Sequence, residues 1–86
     1  MQKITLYTKA LKVSEDYLGP AGERFLRRQI SEHLGIIPEN LKQHQLLKLV
    51  QWTELAFSLL TNDRHEVNAF TSNLLSLASQ KQQGDE

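Results

Sequence analysis

The sequence predicts an all-α fold, a compact four-helix bundle with short connections. Three observations support this prediction. Apolar residues recur at helical spacing in four separate stretches, and no stretch alternates long enough to indicate a strand. Sequences rich in Gly, Pro, Asn and Asp separate those stretches. Short connections of this kind favour antiparallel neighbours in a bundle.

Length and composition indicate one small globular domain. The chain has 86 residues, and we expect residues 1–79 to form the domain and residues 80–86, which carry no apolar side chain, to form a disordered tail. No cysteine is present, which excludes disulfides and thiolate metal sites and favours a cytoplasmic location. Ten basic residues balance ten acidic ones, and no apolar run is long enough to span a membrane.

The first helix is predicted over residues 3–18 and the second from Pro20 to Leu34. Gly19 tolerates the left-handed turn after a helix end, Pro20 suits the first position of a helix, and Gly35 ends the second helix. The predicted inner side of the first helix consists of Ile4, Leu6, Tyr7, Ala10, Leu11, Val13, Tyr17 and Leu18. That of the second consists of Ala21, Phe25, Leu26, Ile30 and Leu34.

The third helix is predicted from Gln43 to Leu60, after an extended link and a short turn at residues 38–41. Its apolar residues cover most of the circumference, so the helix is either central to the domain or also in contact with another chain. Thr61-Asn62-Asp63 interrupts the pattern. Asp63 followed by Glu66 is typical of an N-cap pair and predicts the start of a fourth helix.

Three arginines form the first candidate binding site. Arg24, Arg27 and Arg28 lie on the predicted exposed face of the second helix, where they could bind an acidic protein partner. Nucleic acid is the alternative ligand, although the net charge of zero disfavours it. Glu23 and Glu32 stand four residues from Arg27 and Arg28 respectively, so local salt bridges on a solvated face are a third interpretation.

The surplus of apolar residues on the third helix forms the second candidate site. Trp52, Phe57 and Leu59 are predicted to contact a protein partner, because an uncovered apolar patch is costly in water. A homodimer is the expected form of this contact. The alternative is that the other three helices cover the third helix completely.

No residue pattern predicts catalysis or a cofactor. Gly19-Pro20-Ala21-Gly22 lacks the strand and the lysine of a phosphate-binding loop, and its small residues instead favour close packing of a second helix. The histidines, at positions 33, 44 and 65, lack metal-site spacing and are expected on the polar surface. Hydroxyls on inner faces, at positions 14, 53 and 71, are expected to bond to the backbone. We therefore predict no catalytic residue, metal, cofactor or small-molecule substrate.

A set of motifs resembles small helical domains of bacterial signalling proteins. The motifs are Tyr17-Leu18-Gly19-Pro20-Ala21, Phe25-Leu26 with Ile30, Leu46-Leu47, Leu55-Ala56 and Phe70. Those domains often lie C-terminal to kinases and response-regulator-like chains and carry a Gly-Pro-x-Ala helix start. The resemblance covers about positions 5 to 78 and implies an all-α module for association or regulation without a cofactor.

The combined prediction is a non-enzymatic protein–protein interaction or regulatory module that self-associates through the third helix. The alternative is a small helical nucleic-acid-binding regulator that uses the basic face of the second helix. The partner and the pathway are not specified by the sequence.

Overall fold

The computed structural model describes residues 5–79 and, in that range, is all-α, as predicted. Helix α1 spans Leu6–Leu18. Thr5 caps its start, because the Thr8 N–H donates to Thr5 Oγ1 at 3.1 Å. Gly19 follows its end with a φ of 61°, a left-handed value that glycine adopts without steric cost. The predicted helix start at residue 3 and the predicted tail at residues 80–86 lie outside the described residues.

The second helical segment has the predicted extent but three kinds of turn. A 3-10 turn (Gly19–Ala21) contains Pro20, helix α2 spans Gly22–Gln29, and a π turn covers Ile30–Leu34. The Gly35 N–H donates to the Ile30 carbonyl at 3.2 Å and closes the wide turn. Gly35 has a φ of 68°, so it ends the segment as predicted.

Gly22 brings α1 and α2 into close contact. A Cβ atom at this position would lie 2.8 Å from backbone atoms of Ser14 and Glu15, which is closer than real Cβ contacts. The prediction that small residues at this corner allow a second helix to approach is therefore confirmed at Gly22. It is wrong for Ala21, which is exposed.

Two short turns connect the second segment to α3. A 3-10 turn at Pro38–Asn40 matches the predicted single turn, and another at Gln43–Gln45 leads directly into α3 (Leu46–Ser58). The Gln43 Nε2 donates to the Leu77 carbonyl at 3.3 Å and ties the start of this segment to the last helix.

Helix α4 spans Arg64–Ser79 and begins after an Asp63 cap. The backbone N–H groups of His65 and Glu66 donate to Asp63 Oδ1 at 3.0 and 3.3 Å, which confirms the predicted cap. The predicted reciprocal bond from the Glu66 side chain is absent within the described chain. Instead, the Asp63 N–H donates to Thr61 Oγ1 at 3.1 Å.

A cluster of four aromatic rings, one from each α-helix within residues 5–79, packs in and against the core. The Phe70 ring of α4 stacks on Tyr17 of α1 at 5.0 Å and meets the edge of Phe57 of α3 at 5.0 Å, and Phe25 of α2 lies 6.3 Å from Phe70. Aliphatic side chains complete the core around these rings. The fully buried large residues are Phe70, Leu26, Ile30, Leu46, Leu49, Leu74 and Val67.

Among residues 5–79, none of the helices is both long enough and apolar enough to cross a bilayer.

Candidate protein-binding groove between α2 and α3

Helix α3 has an apolar face that the rest of the domain does not cover. Leu55, in its last turn, and Leu59 and Leu60, directly after its end, expose 59%, 85% and 64% of their surface. The opposite face is buried against the core through Leu46, Leu49, Val50, Thr53 and Phe57. The other helices therefore do not surround α3 completely, although its sequence is apolar nearly all round.

The exposed leucines border a groove that runs between α2 and α3. The groove consists of two adjoining depressions of about 340 and 160 Å³, which share Gln29, Ala56 and Leu59 in their walls. The larger depression is also lined by Ala21, Arg24, Phe25, Arg28 and Leu60. The smaller one is also lined by His33, Trp52 and Leu55.

Trp52 forms one end of the groove together with His33. Their rings stack with centroids 3.8 Å apart and planes within 5° of parallel. The π turn carries His33 to this position, so the imidazole is half-buried rather than on the polar surface, where the sequence predicted it. His44 and His65 are exposed, as predicted. Trp52 is half-buried and keeps part of its ring available to the groove.

Phe57 does not belong to this surface, which corrects the prediction that it contacts a partner. Its side chain is only 3% exposed, because the ring packs against Phe25 and Phe70 inside the core. Of the three apolar residues predicted as a contact surface, Trp52 and Leu59 line the groove and Phe57 supports it from within.

The three predicted arginines differ in their partners. Arg24 and Arg28 lie on the rim of the groove, and Arg28 Nε pairs with Glu32 Oε2 at 3.3 Å, at the spacing that the sequence predicted. Arg24 makes no hydrogen bond or ion pair with any residue of the described range 5–79.

Arg27 binds residues of α1 and of the turn before α3. Its Nη1 donates to Glu39 Oε2 at 2.8 Å and to Tyr7 Oη at 3.2 Å. The predicted local pair between Arg27 and Glu23 is therefore wrong. The nucleic-acid hypothesis, which requires the three arginines on one face, stays a prediction.

The contact between Arg27 and Glu39 shifts both pKa values in the direction of the charged forms. The hydrogen bond to Glu39, and then the one to Tyr7, raises the pKa of the Arg27 guanidinium. The hydrogen bond from Arg27, followed by one from the backbone, lowers the pKa of the Glu39 carboxyl. Both groups are solvent-exposed, so the pair is a surface contact.

Gln29 is a buried polar residue that the sequence analysis missed. It lines both depressions but is only 5% exposed, and its Oε1 accepts no hydrogen bond within the described chain. A buried acceptor without a donor costs about 1–3 kcal/mol. Its position between Leu26 and Ile30, both predicted as inner residues, was the available signal.

A larger depression, separate from the two that form the groove, lies at the Gly-Pro corner. It measures about 700 Å³ and is lined by Pro20, Ala21, Glu23, Arg24 and Arg27. The Glu23 carboxylate beside the two arginines disfavours an anion there, because it repels negative charge. The predicted packing role of this corner fits the geometry better than a phosphate site.

The remaining candidate groups for chemistry are dispersed. Within residues 5–79 no three side chains of His, Asp or Glu come together in a way that could hold a metal ion. Ser14 Oγ donates to the Ala10 carbonyl at 3.0 Å and Thr71 Oγ1 to the Asn68 carbonyl at 3.2 Å, so both hydroxyls bond to the backbone as predicted. Thr53 Oγ1 is buried and has no partner in this range, contrary to the prediction.

Comparison with known proteins does not assign the chain to a family. No protein-family model, no curated protein and no solved structure matches it. The resemblance to helical signalling domains therefore stays a prediction. The chain itself contains Gly19-Pro20-Ala21-Gly22, in which the alanine stands one position earlier than in a Gly-Pro-x-Ala start.

Proposed function

We propose that this chain is a non-enzymatic protein-interaction or regulatory module, a compact four-helix bundle that binds another polypeptide through the groove between α2 and α3. The observation that supports the proposal is the exposure of Leu55, Leu59 and Leu60 along this groove, at 59%, 85% and 64%. Adjacent exposed leucines beside a concave surface are typical of protein-binding sites in small domains.

The driving force is the removal of these side chains from water. Complete burial of a leucine contributes about 1.5–3 kcal/mol, and part of that remains to be gained where the side chain is still largely exposed. Trp52 adds an aromatic ring at one end of the groove, and tryptophan is enriched among the residues that dominate binding energies. The guanidinium groups of Arg24 and Arg28 supply charge at the rim, where charges influence association rate and partner choice.

Photo-cross-linking from the groove tests this function. In one variant, expressed in the native cell, benzoylphenylalanine replaces Leu59. In the matched control variant it replaces Leu47, which is also an exposed leucine but does not line the groove. We expect a discrete adduct from position 59 and none from position 47. Equal labelling from the two positions, or none from either, would contradict the proposal.

The mass of the adduct also tests the homodimer that the sequence predicted. An adduct of twice the chain mass indicates self-association through α3, and any other mass indicates a different partner. Light scattering of the purified chain at high micromolar concentration provides an independent measurement, since self-association through Leu59 would be lost on Leu59→Lys and kept on Leu47→Lys.

A further inference from the structure

The walls of the groove carry positive charge without an acidic residue. Arg24 and Arg28 are among the residues that line it, and no Asp or Glu is. Glu32 pairs with Arg28 at 3.3 Å and neutralises part of that charge. Arg24 has no such partner within residues 5–79, so its guanidinium is available to a carboxylate from outside.

The dimensions of the groove fit a short helix. Its floor follows α3 and the turn after it from Trp52 to Leu60, which is roughly 12 Å at 1.5 Å per residue, or about two helical turns. Ala56 lies in the middle of this floor and its small side chain permits close approach. An amphipathic helix places residues i, i+4 and i+7 along such a surface, in the manner of known helix-in-groove complexes.

The floor also contains a buried acceptor without a donor. The Gln29 side chain lines both depressions, is 95% buried, and its Oε1 lacks a hydrogen bond within the described chain. Oε1 is itself buried, and rotation of the terminal amide about its soft last torsion would bring it to the groove. A donor on the apolar face of an occupant would then satisfy it.

We infer that the groove binds an acidic amphipathic helix of another protein. The apolar face of that helix covers Leu59 and Trp52, its carboxylates pair with Arg24 and Arg28, and one side-chain amide on the apolar face donates to Gln29. This inference rests on the proposed function. A second copy of the chain fits less well, because a two-fold contact through this groove brings the two arginine-bearing rims towards each other.

Two synthetic peptides provide the probes. Both are free of tryptophan, contain about 18 residues so that a helix can form, and carry Leu at i, i+4, i+7 and i+11 with one Gln at i+3, on the edge of the leucine face. One has Glu and the other Lys at the exposed positions. Trp52 is the only tryptophan of the chain, so its fluorescence reports binding at the groove without a label. We expect saturable binding of the Glu peptide, at least tenfold tighter than the Lys peptide, and weaker at high salt.

Charge reversal of the rim tests which residues select the peptide. Arg24→Glu with Arg28→Glu should weaken the Glu peptide by more than tenfold and make the Lys peptide the better ligand. Lys48→Glu is the matched control, because Lys48 is exposed on α3 and does not line the groove. It should change either affinity by less than threefold.

A double-mutant cycle tests the hydrogen bond to Gln29. Replacing the peptide Gln by Leu should weaken binding to the native chain about threefold to tenfold, and this difference should disappear in Gln29→Leu. Circular dichroism of Gln29→Leu confirms that the variant is folded. A peptide preference that is the same in both proteins would remove this part of the inference.

Three results would overturn the acidic helix as occupant. They are equal affinity for the two peptides, equal losses in the rim variant and in Lys48→Glu, and a Trp52 signal that changes with protein concentration alone, which would make a second copy the occupant. The proposed function fails separately, through equal cross-linking from positions 59 and 47, so the two failures are distinguishable.

Discussion

The two faces of α3 carry similar side chains and differ in what covers them. Phe57 is 3% exposed and packs among the rings of the core, whereas Leu59, two positions later, is 85% exposed. Two positions correspond to a rotation of about 200° around the helix, so the two side chains point in nearly opposite directions. The comparison shows that one apolar sequence serves folding on one side and leaves a contact surface on the other.

The largest expected effect is a difference in the free energy of unfolding between substitutions on the two faces of α3. Phe57→Ala should lower the free energy of unfolding by about 3–5 kcal/mol, because it removes a ring that contacts two other rings in the core. Leu59→Ser should change it by less than about 0.5 kcal/mol, since the side chain is largely in water already. Urea denaturation measures both. Similar losses in the two variants would show that Leu59 is part of the core.

Thr53 lies on the inner face of α3, and a substitution there should increase stability instead of lowering it. Thr53→Val should raise the free energy of unfolding by about 1 kcal/mol, because it replaces a buried hydroxyl that has no partner within residues 5–79 by a methyl group of similar size. Thr53→Ser is the control: it keeps the hydroxyl, loses a buried methyl, and should cost about 1 kcal/mol. A destabilised Thr53→Val would indicate that the hydroxyl forms a hydrogen bond, for instance to an ordered water molecule.

A substitution of His33 tests the contact with Trp52, which lies between the buried and the exposed face of α3. His33→Ala should lower the free energy of unfolding by about 0.5–1 kcal/mol through the loss of its stack on Trp52, and should shift the tryptophan emission to the red as water reaches the ring. His44→Ala, at an exposed position before α3, should alter neither. An unchanged emission spectrum in His33→Ala would contradict the stacked geometry.

The smallest effect concerns a contact that belongs to neither face. The pKa of Glu39 in the folded chain lies below its usual value of 4.5, so the pair with Arg27 stabilises the fold above that pH. This contribution is lost as the pH falls from 4.5 through the lower folded pKa.

Melting temperatures between pH 7 and pH 2 measure the contribution of the Glu39–Arg27 pair to stability. Glu39→Gln should melt slightly below the native chain at pH 7 and should lose less of its stability on acidification. Arg27→Met should give the same pH profile, since it removes the other half of the pair. A profile for Glu39→Gln that runs parallel to that of the native chain would assign the acid sensitivity to other carboxyls.

The sequence predicts the helices well because their ends depend on local chemistry. Gly35 adopts a left-handed conformation that glycine tolerates, and Asp63 caps α4 with its own side chain. Both helix boundaries therefore follow from a few neighbouring residues. The π turn was not predicted, since the sequence of Ile30–Leu34 is compatible with an ordinary helix.

The site was predicted only in part because it depends on contacts distant in the chain. A helix that is apolar nearly all round does not reveal which side is covered, so Phe57 was assigned to the surface together with Leu59. Arg27 was paired with Glu23 by spacing, whereas the turn at Pro38–Asn40 brings Glu39 within 2.8 Å of it. The stacking of His33 on Trp52 was missed because it exists only once the π turn and α3 lie side by side, whereas the burial of Gln29 was indicated by its position between two inner residues and was overlooked.

The aromatic cluster of the core affects how cooperatively the chain unfolds. Each α-helix within residues 5–79 contributes one ring to this cluster, and Phe70 of α4 contacts Tyr17, Phe25 and Phe57, so removal of any single helix takes away part of the packing around Phe70. Partly folded forms would therefore be scarce. We expect the slowest amide protons in all four helices to exchange with deuterium by one shared global opening, with no fragment of three helices retaining protection.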